Sequence, residues 1–281
     1  MTDLDPRLTP ARGDLAAEYL RGTIEAENYV PALSMRIAVG SAPLRAEARP
    51  DAAQLTEAIF GEPVAVYDLD EGWAWVQLES DRYVGWLPEW ALGPVAGEPT
   101  HRVSALRTFI FPGASIKQPP EEALTLGSHV IVEREEGMFA VLATGGYVPR
   151  QHLAPLAADE DDYVSVAERF VGAPYLWGGK TSLGLDCSGL VQVAFDAAGL
   201  DAPRDSDMQE AGIGNPVAFD GAGDLQRGDL IFWKGHVAIA RGDGTIIHAN
   251  AHHMAVAIED AAGAIARIAE AGSSITSVRR L

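Results

Sequence analysis

Leu185-Asp186-Cys187-Ser188-Gly189-Leu190-Val191-Gln192 carries the strongest local signal in the chain. From Cys187 onward, Leu190, Val191, Ala194, Phe195 and Ala198 recur on one helical face, and Gly199 stands where a helix closes in a left-handed residue. Asp186 is the expected N-cap, because its carboxylate can accept the orphan N–H groups of the first turn. Cys187 therefore falls at the helix N-terminus, where the dipole and unpaired N–H groups favour a thiolate, the nucleophilic form of cysteine.

A nucleophile needs a base. Downstream, Gly228-Asp229-Leu230-Ile231-Phe232-Trp233 reads as a strand, followed by Gly235-His236-Val237-Ala238-Ile239-Ala240. After the turn Arg241-Gly242-Asp243-Gly244, a further strand carries Ile246-Ile247-His248-Ala249-Asn250. Two adjacent antiparallel strands bring His236 and His248 close together. Taken singly, a buried cysteine is commonly a small hydrophobe and a histidine in a strand a satisfied core residue. Taken together, a cysteine opening a helix after the glycine turn Gly178-Gly179, with two later strand histidines, fits a nucleophile, a base and an orienting group. His252 and His253 carry no role in this reading, and the alanine-rich 255–271 stretch is expected to be an inserted helix or a loop over the site.

The first half of the chain has a different texture. Residues 1–34 read as a helical lead-in, with Leu15, Ala16, Tyr19 and Leu20 at helical spacing before Pro31. From Met35, short β-type runs alternate with turns, and their pattern recurs. Gly61-Glu62-Pro63-Val64-Ala65-Val66, Glu71-Gly72-Trp73-Ala74-Trp75-Val76 and Tyr83-Val84-Gly85-Trp86-Leu87-Pro88 are echoed by Gly127-Ser128-His129-Val130-Ile131-Val132, Glu136-Gly137-Met138-Phe139-Ala140-Val141 and Gly146-Tyr147-Val148-Pro149. A period this long marks a repeated domain. The expected organisation is thus α+β and multidomain: a lead-in over 1–34, small β-barrels over 35–95 and 96–156, and a third domain over 157–281 that opens with a helix from about Tyr163 to Phe170.

The two β segments resemble bacterial SH3-like (SH3b) domains. In the last domain, Pro174-Tyr175-Leu176-Trp177-Gly178-Gly179, Asp186-Cys187-Ser188-Gly189-Leu190-Val191, Pro203-Arg204-Asp205-Ser206-Asp207-Met208-Gln209, Arg227-Gly228-Asp229-Leu230-Ile231-Phe232 and Gly235-His236-Val237-Ala238-Ile239 resemble the successive motifs of the NlpC/p60 cysteine peptidases. This resemblance implies a papain-like α+β core with Cys187 as nucleophile, His236 as base and His248 as the orienting third residue. It implies that Tyr175 helps hold the oxyanion, that Asp186 and Ser188 bind a substrate amine, and that Ser206 and Gln209 lie near the site. The arrangement as a whole is similar to γ-D-glutamyl-L-diamino acid endopeptidases of the dipeptidyl-peptidase VI kind, which release L-Ala-γ-D-Glu from peptidoglycan stem peptides. In that subgroup the first SH3b domain closes the cleft and demands a free N-terminus; Asp81, Tyr83 and Glu89 are the candidates here, with solvated turn residues and a core tyrosine as the plain alternative.

Composition bounds the rest. Lys and Arg number 21 against 40 Asp and Glu, a net charge of −19. Such a field repels phosphate backbones and anionic lipid surfaces, so neither nucleic acid nor membrane is an expected partner, and peptidoglycan-derived peptides are. The single cysteine cannot form an intrachain disulfide. With no basic, apolar leader visible in Met1-Thr2-Asp3-Leu4-Asp5-Pro6, the expectation is a cytoplasmic protein acting in peptide recycling. No cofactor is expected, and no metal, since the Cys and His spacings are not those of ligands. Two other functions fit the same residues: an inactive wall-peptide binder that works through its SH3b pair, and an acyltransferase or transpeptidase on the same Cys-His fold. Oligomeric state and the identity of the diamino acid are not legible.

Overall fold

The computed structural model describes residues 4–281, which form two compact units divided between Leu156 and Ala157. In the first unit, seven antiparallel strands curl into one sheet. The order is Gln54–Ile59, Ser41–Arg45, Val84–Pro88, Trp73–Leu78, Pro63–Asp70, Leu33–Ile37 and Leu92–Gly93. Alternation explains the two surfaces: Val64, Val66, Ala74, Val76 and Leu78 point into one core with Ile37, Leu44 and Leu87, whereas Ala65, Tyr67 and Trp75 point outward.

That outer face corrects the lead-in helix. The segment instead forms a strand, Leu15–Ala17, paired in parallel with Asn28–Val30, and a single 3-10 turn, Glu18–Leu20; the first three residues lie outside the described residues. Consecutive Ala16 and Ala17, both fully buried, pack with Leu20 against Tyr67 and Trp75. The Arg12 guanidinium lies over the Trp75 and Trp86 rings at 4.8 and 5.0 Å. Burial on the barrel's outer face outweighs a helical spacing too short to support a helix alone.

Between 101 and 155 the strands are shorter and fall into three small sheets. Arg107–Ile110 pairs with Glu122–Thr125, while Val132–Glu136, Phe139–Leu142 and Tyr147–Pro149 form a meander. His101–Val103 lies between His129–Val130 and Leu153–Pro155. Val103, Ile110, Leu124, Val130, Leu142 and Val148 fill the interior.

In the second unit, helix α1 (Tyr163–Glu168) is capped by Asp162 and ends two residues short of its expected limit. Helix α2 (Cys187–Ala197) and the short α3 (Ser206–Gly212) follow. A six-stranded antiparallel sheet then runs in the order Asn215–Pro216, Ile275–Arg280, Leu230–Trp233, His236–Ala240, Thr245–Asn250 and Ala255–Asp260. The 255–271 stretch is neither a loop nor wholly helical: its first six residues are the edge strand, and helix α4 (Ala261–Glu270) follows. Ala261 and Ala264 of α4 cover Ile231, Trp233, Ala238, Ala240 and Ile246, while α2 packs against the strands that carry His236 and His248. Among the described residues, no helix is long and apolar enough to cross a membrane.

Candidate active site

Asp186 caps α2 as its position in the sequence suggests, accepting the Gly189 N–H at 2.7 Å, and Cys187 opens the first turn with 7% of its surface exposed. Gly189 permits this seat, because a Cβ there would lie 2.1 Å from the Gly179 carbonyl oxygen. Backbone N–H groups of Val237 and Ser188 bond the Cys187 sulfur, placing the thiol beside the strand that begins with His236.

The expected bias toward thiolate is overruled. Burial first, and then the neighbouring Asp186 carboxylate, push the thiol up to about 11. Burial likewise pushes His236 down to about 3, aided by His248, so the resting pair is a neutral thiol and a neutral imidazole.

The two histidine strands are adjacent and antiparallel, with Ile239 opposite Ile247 and Ala240 opposite Ile246. His236 Nε2 lies 2.8 Å from His248 Nδ1. His248, 1% exposed, continues the chain through its Nε2, 2.7 Å from Glu259 Oε1 on the edge strand. Arg267 of α4 closes it, donating to the same oxygen at 2.5 Å. Burial alone would raise the Glu259 carboxyl, but the bonds from Arg267 and His248 hold it below the usual carboxylate range. Tyr175 lies within electrostatic reach of the thiol, and burial, followed by the charges of Cys187 and Asp186, pushes its phenol up to about 12, so it remains a hydrogen-bond donor at neutral pH.

Other expected binding residues are engaged inside the protein. The Asp186 carboxylate also accepts the Gly178 N–H at 2.8 Å and the Ser188 hydroxyl at 3.2 Å. Arg204, 1% exposed, grips it with both terminal nitrogens at 2.9 and 2.6 Å and donates to Ser188 Oγ at 2.9 Å. Both Asp186 oxygens and its charge are thus committed, and an incoming ammonium would have to displace Arg204. Gln209 donates to the Ser188 and Pro203 carbonyls, bracing the start of α2 from beneath, and Ser206 opens α3. In the first unit, Asp81 caps a buried turn by accepting the Tyr83 N–H at 3.0 Å, Tyr83 belongs to the barrel core, and Glu89 starts an exposed 3-10 turn. The Arg227-Gly228-Asp229 motif is architectural. Arg227 pairs with Asp162, the Tyr163 hydroxyl bonds the Gly228 carbonyl, and buried Asp229 holds Arg280 at 2.6 and 2.7 Å.

Sequence reasoning missed Arg204, Glu259 and Arg267. Glu259 had a faint signal: it lies two residues from Ala257, which sits opposite His248, and so shares the His248 face. Among the described residues, no group of Cys, His, Asp and Glu is arranged to hold a metal.

A cysteine opening a helix that packs against two strands carrying a hydrogen-bonded histidine pair is an arrangement suited to nucleophile and base chemistry. More particularly, residues 172–269 match the NlpC/P60 family and residues 44–92 match the bacterial dipeptidyl-peptidase Sh3 domain, so the chain carries an NlpC/P60 domain behind one bacterial SH3 domain. The chain is similar to the γ-D-glutamyl-L-lysine dipeptidyl-peptidases of Bacillus cereus and Bacillus subtilis, at 29% identity over 225 and 217 residues. These alignments take in 69% of this chain and 66% and 71% of those proteins, about two thirds of their length. It is also similar to dipeptidyl-peptidase 6 of Lysinibacillus sphaericus, 37% identical over 119 residues that cover 39% of this chain and 43% of that one. A solved NlpC/P60 family protein from Bacillus cereus shares the fold, with a TM-score of 0.72 at 24% identity over 88% of this chain and 99% of the other.

Proposed function

We propose that the protein is a cysteine peptidase that hydrolyses the γ-D-glutamyl–diamino acid bond of peptidoglycan stem peptides bearing a free N-terminal L-alanine, releasing L-Ala-γ-D-Glu. The observation that carries this reading is the seat of Cys187 at the start of α2 against the N–H of Val237, the residue after His236, whose ring pairs with that of His248. The names of the Bacillus relatives supply the bond class. In the first step His236 takes the thiol proton as sulfur attacks the γ-carbonyl carbon. Because thiol and imidazole are both neutral at rest, proton transfer accompanies attack instead of preceding it. The Cys187 backbone N–H and the Tyr175 hydroxyl receive the developing oxyanion. The C–N bond then breaks as the His236 imidazolium protonates the departing amine. His236 next deprotonates a water that attacks the thioester, and the dipeptide leaves with a new carboxyl group while the thiol regains its proton.

The finer parts of the reading are the free-amine requirement, the choice of lysine or meso-diaminopimelate, and a cytoplasmic recycling role, in which a reducing compartment keeps the single buried thiol free. The recurrence of the strand pairings between 101 and 155 supports reading 96–156 as a second, diverged SH3-like domain. Product analysis by mass spectrometry tests the proposal. Free L-Ala-γ-D-Glu-diaminopimelate or its lysine counterpart should yield the dipeptide. The N-acetylated tripeptide and intact sacculi should be cleaved at least roughly tenfold more slowly, since capping removes a charge-assisted hydrogen bond worth about 1.5–3 kcal/mol. Equal cleavage of free and blocked substrates would overturn the amine requirement, and no cleavage of either would overturn the bond assignment.

A further inference from the structure

Behind His236 runs a hydrogen-bonded series whose direction is set by its far end. Glu259 is the one member that cannot donate, because an ionised carboxylate only accepts. Arg267, at 2.5 Å, keeps it ionised and holds its Oε1 toward His248. The His248 Nε2, at 2.7 Å, must therefore carry the hydrogen in that bond. Burial pushes His248 below the ordinary imidazole range in spite of Glu259, so at neutral pH the ring is neutral with a single N–H, and its Nδ1 is bare and can only accept. The hydrogen in the 2.8 Å bond between the rings then belongs to His236 Nε2, and His236 Nδ1 is left without a proton. Nε2 being spent on His248, Nδ1 is the ring nitrogen available to a thiol. Run in the other direction, the same series would place a hydrogen on His236 Nδ1, and the ring's remaining lone pair, on Nε2, would be taken up by the His248 N–H and unavailable to the thiol.

We propose that Glu259, held by Arg267, is a positioning residue that fixes the tautomers of both His248 and His236 and thereby makes His236 Nδ1 a base. The proposal rests on the reading of His236 as the proton acceptor of a Cys187 hydrolase. Its geometry comes from the edge strand and α4. Ile246 stands opposite Glu259 and His248 opposite Ala257, which puts His248 and Glu259 on one face, the face α4 covers through Ala261 and Ala264. The stretch 255–271, to which the sequence assigns no chemistry, thus supplies both ends of the brace.

Long-range 1H–15N NMR of the 15N-histidine-labelled full chain reads tautomers directly, with His236 and His248 signals assigned by their loss in single His→Gln variants. In the wild type both rings should be Nε2–H tautomers at neutral pH. In Glu259→Ala, His248 loses its acceptor, and both rings should move to mixed or Nδ1–H tautomers. On the tripeptide, kcat of that variant should fall at least roughly tenfold with KM little changed, as expected for a misdirected imidazole, and Glu259→Asp should recover part of the loss. A wild-type spectrum with either ring as Nδ1–H overturns the proposal, even if the variants fail to fold. So does a Glu259→Ala protein with wild-type tautomers and kcat. Wild-type tautomers as stated, with no peptide cleaved, would remove the functional reading and leave the role of Glu259 in setting the tautomers standing.

Discussion

Replacing Arg204 with methionine removes the guanidinium bonded to the Asp186 carboxylate while keeping a long apolar stem in the space it fills. The guanidinium is 1% exposed and the carboxylate 10%. The variant strands a buried charge that retains only the Gly178 and Gly189 N–H groups and the Ser188 hydroxyl. Breaking a buried pair in this way costs about 3–5 kcal/mol. The two surviving backbone bonds favour the lower end, about 3 kcal/mol, and a domain of this size should lose on the order of 10 °C in Tm. Calorimetry of the full chain should show the loss. Adding Asp186→Asn should recover part of the loss, because asparagine still caps α2 and leaves no unpaired charge. A single variant within about 2 °C of wild type, or a double variant that shows the sum of two independent losses, would refute the argument that Arg204 neutralises the cap beneath Cys187.

Three further outcomes follow from the same geometry. His236 is held at about 3 when folded against an ordinary value near 6.5, so between those values the unfolded chain binds the extra proton and stability is lost as the pH is lowered; by pH 4.5 the loss is about 2–3 kcal/mol, and urea midpoints should show a smaller loss in His236→Gln. Equal losses in the two proteins would contradict the burial of a neutral imidazole. With the Cys187 thiol near 11, iodoacetamide alkylation should be slow at neutral pH and climb about tenfold per pH unit from pH 7 to 10, whereas a rate already level at pH 6 would show a preformed thiolate. Tyr175→Phe should lower kcat roughly a hundredfold with little change in KM, and an unchanged kcat would remove the phenol from oxyanion binding.

The parts of this molecule legible in the sequence are those fixed by local periodicity. The α2 face and its Asp186 cap depend on neighbours within one or two turns, and the strands carrying His236 and His248 are marked by apolar runs on either side of a glycine turn. What was not legible depends on partners far along the chain. Arg204 meets Asp186 across 18 positions and Glu259 meets His248 across 11, and neither pairing leaves a periodic trace. The lead-in reads as a helix because Leu15, Ala16 and Leu20 satisfy a helical spacing, yet they pack against Tyr67 and Trp75, whose outward direction is set by the strand pairing of the seven-stranded sheet. The expected thiolate failed for a related reason. A helix N-terminus lowers a thiol's pKa when solvent and cations are near, whereas here burial and an adjacent carboxylate act the other way.

The central claim is that Cys187 is the nucleophile of a peptide hydrolase. It is tested most directly by measuring dipeptide release from free L-Ala-γ-D-Glu-diamino acid tripeptide by the wild type and by Cys187→Ala, with calorimetry confirming that the variant is folded. Wild-type protein should release L-Ala-γ-D-Glu, and the variant should fall by several orders of magnitude, as loss of a catalytic nucleophile does. A folded Cys187→Ala protein within about tenfold of wild-type turnover would contradict the account.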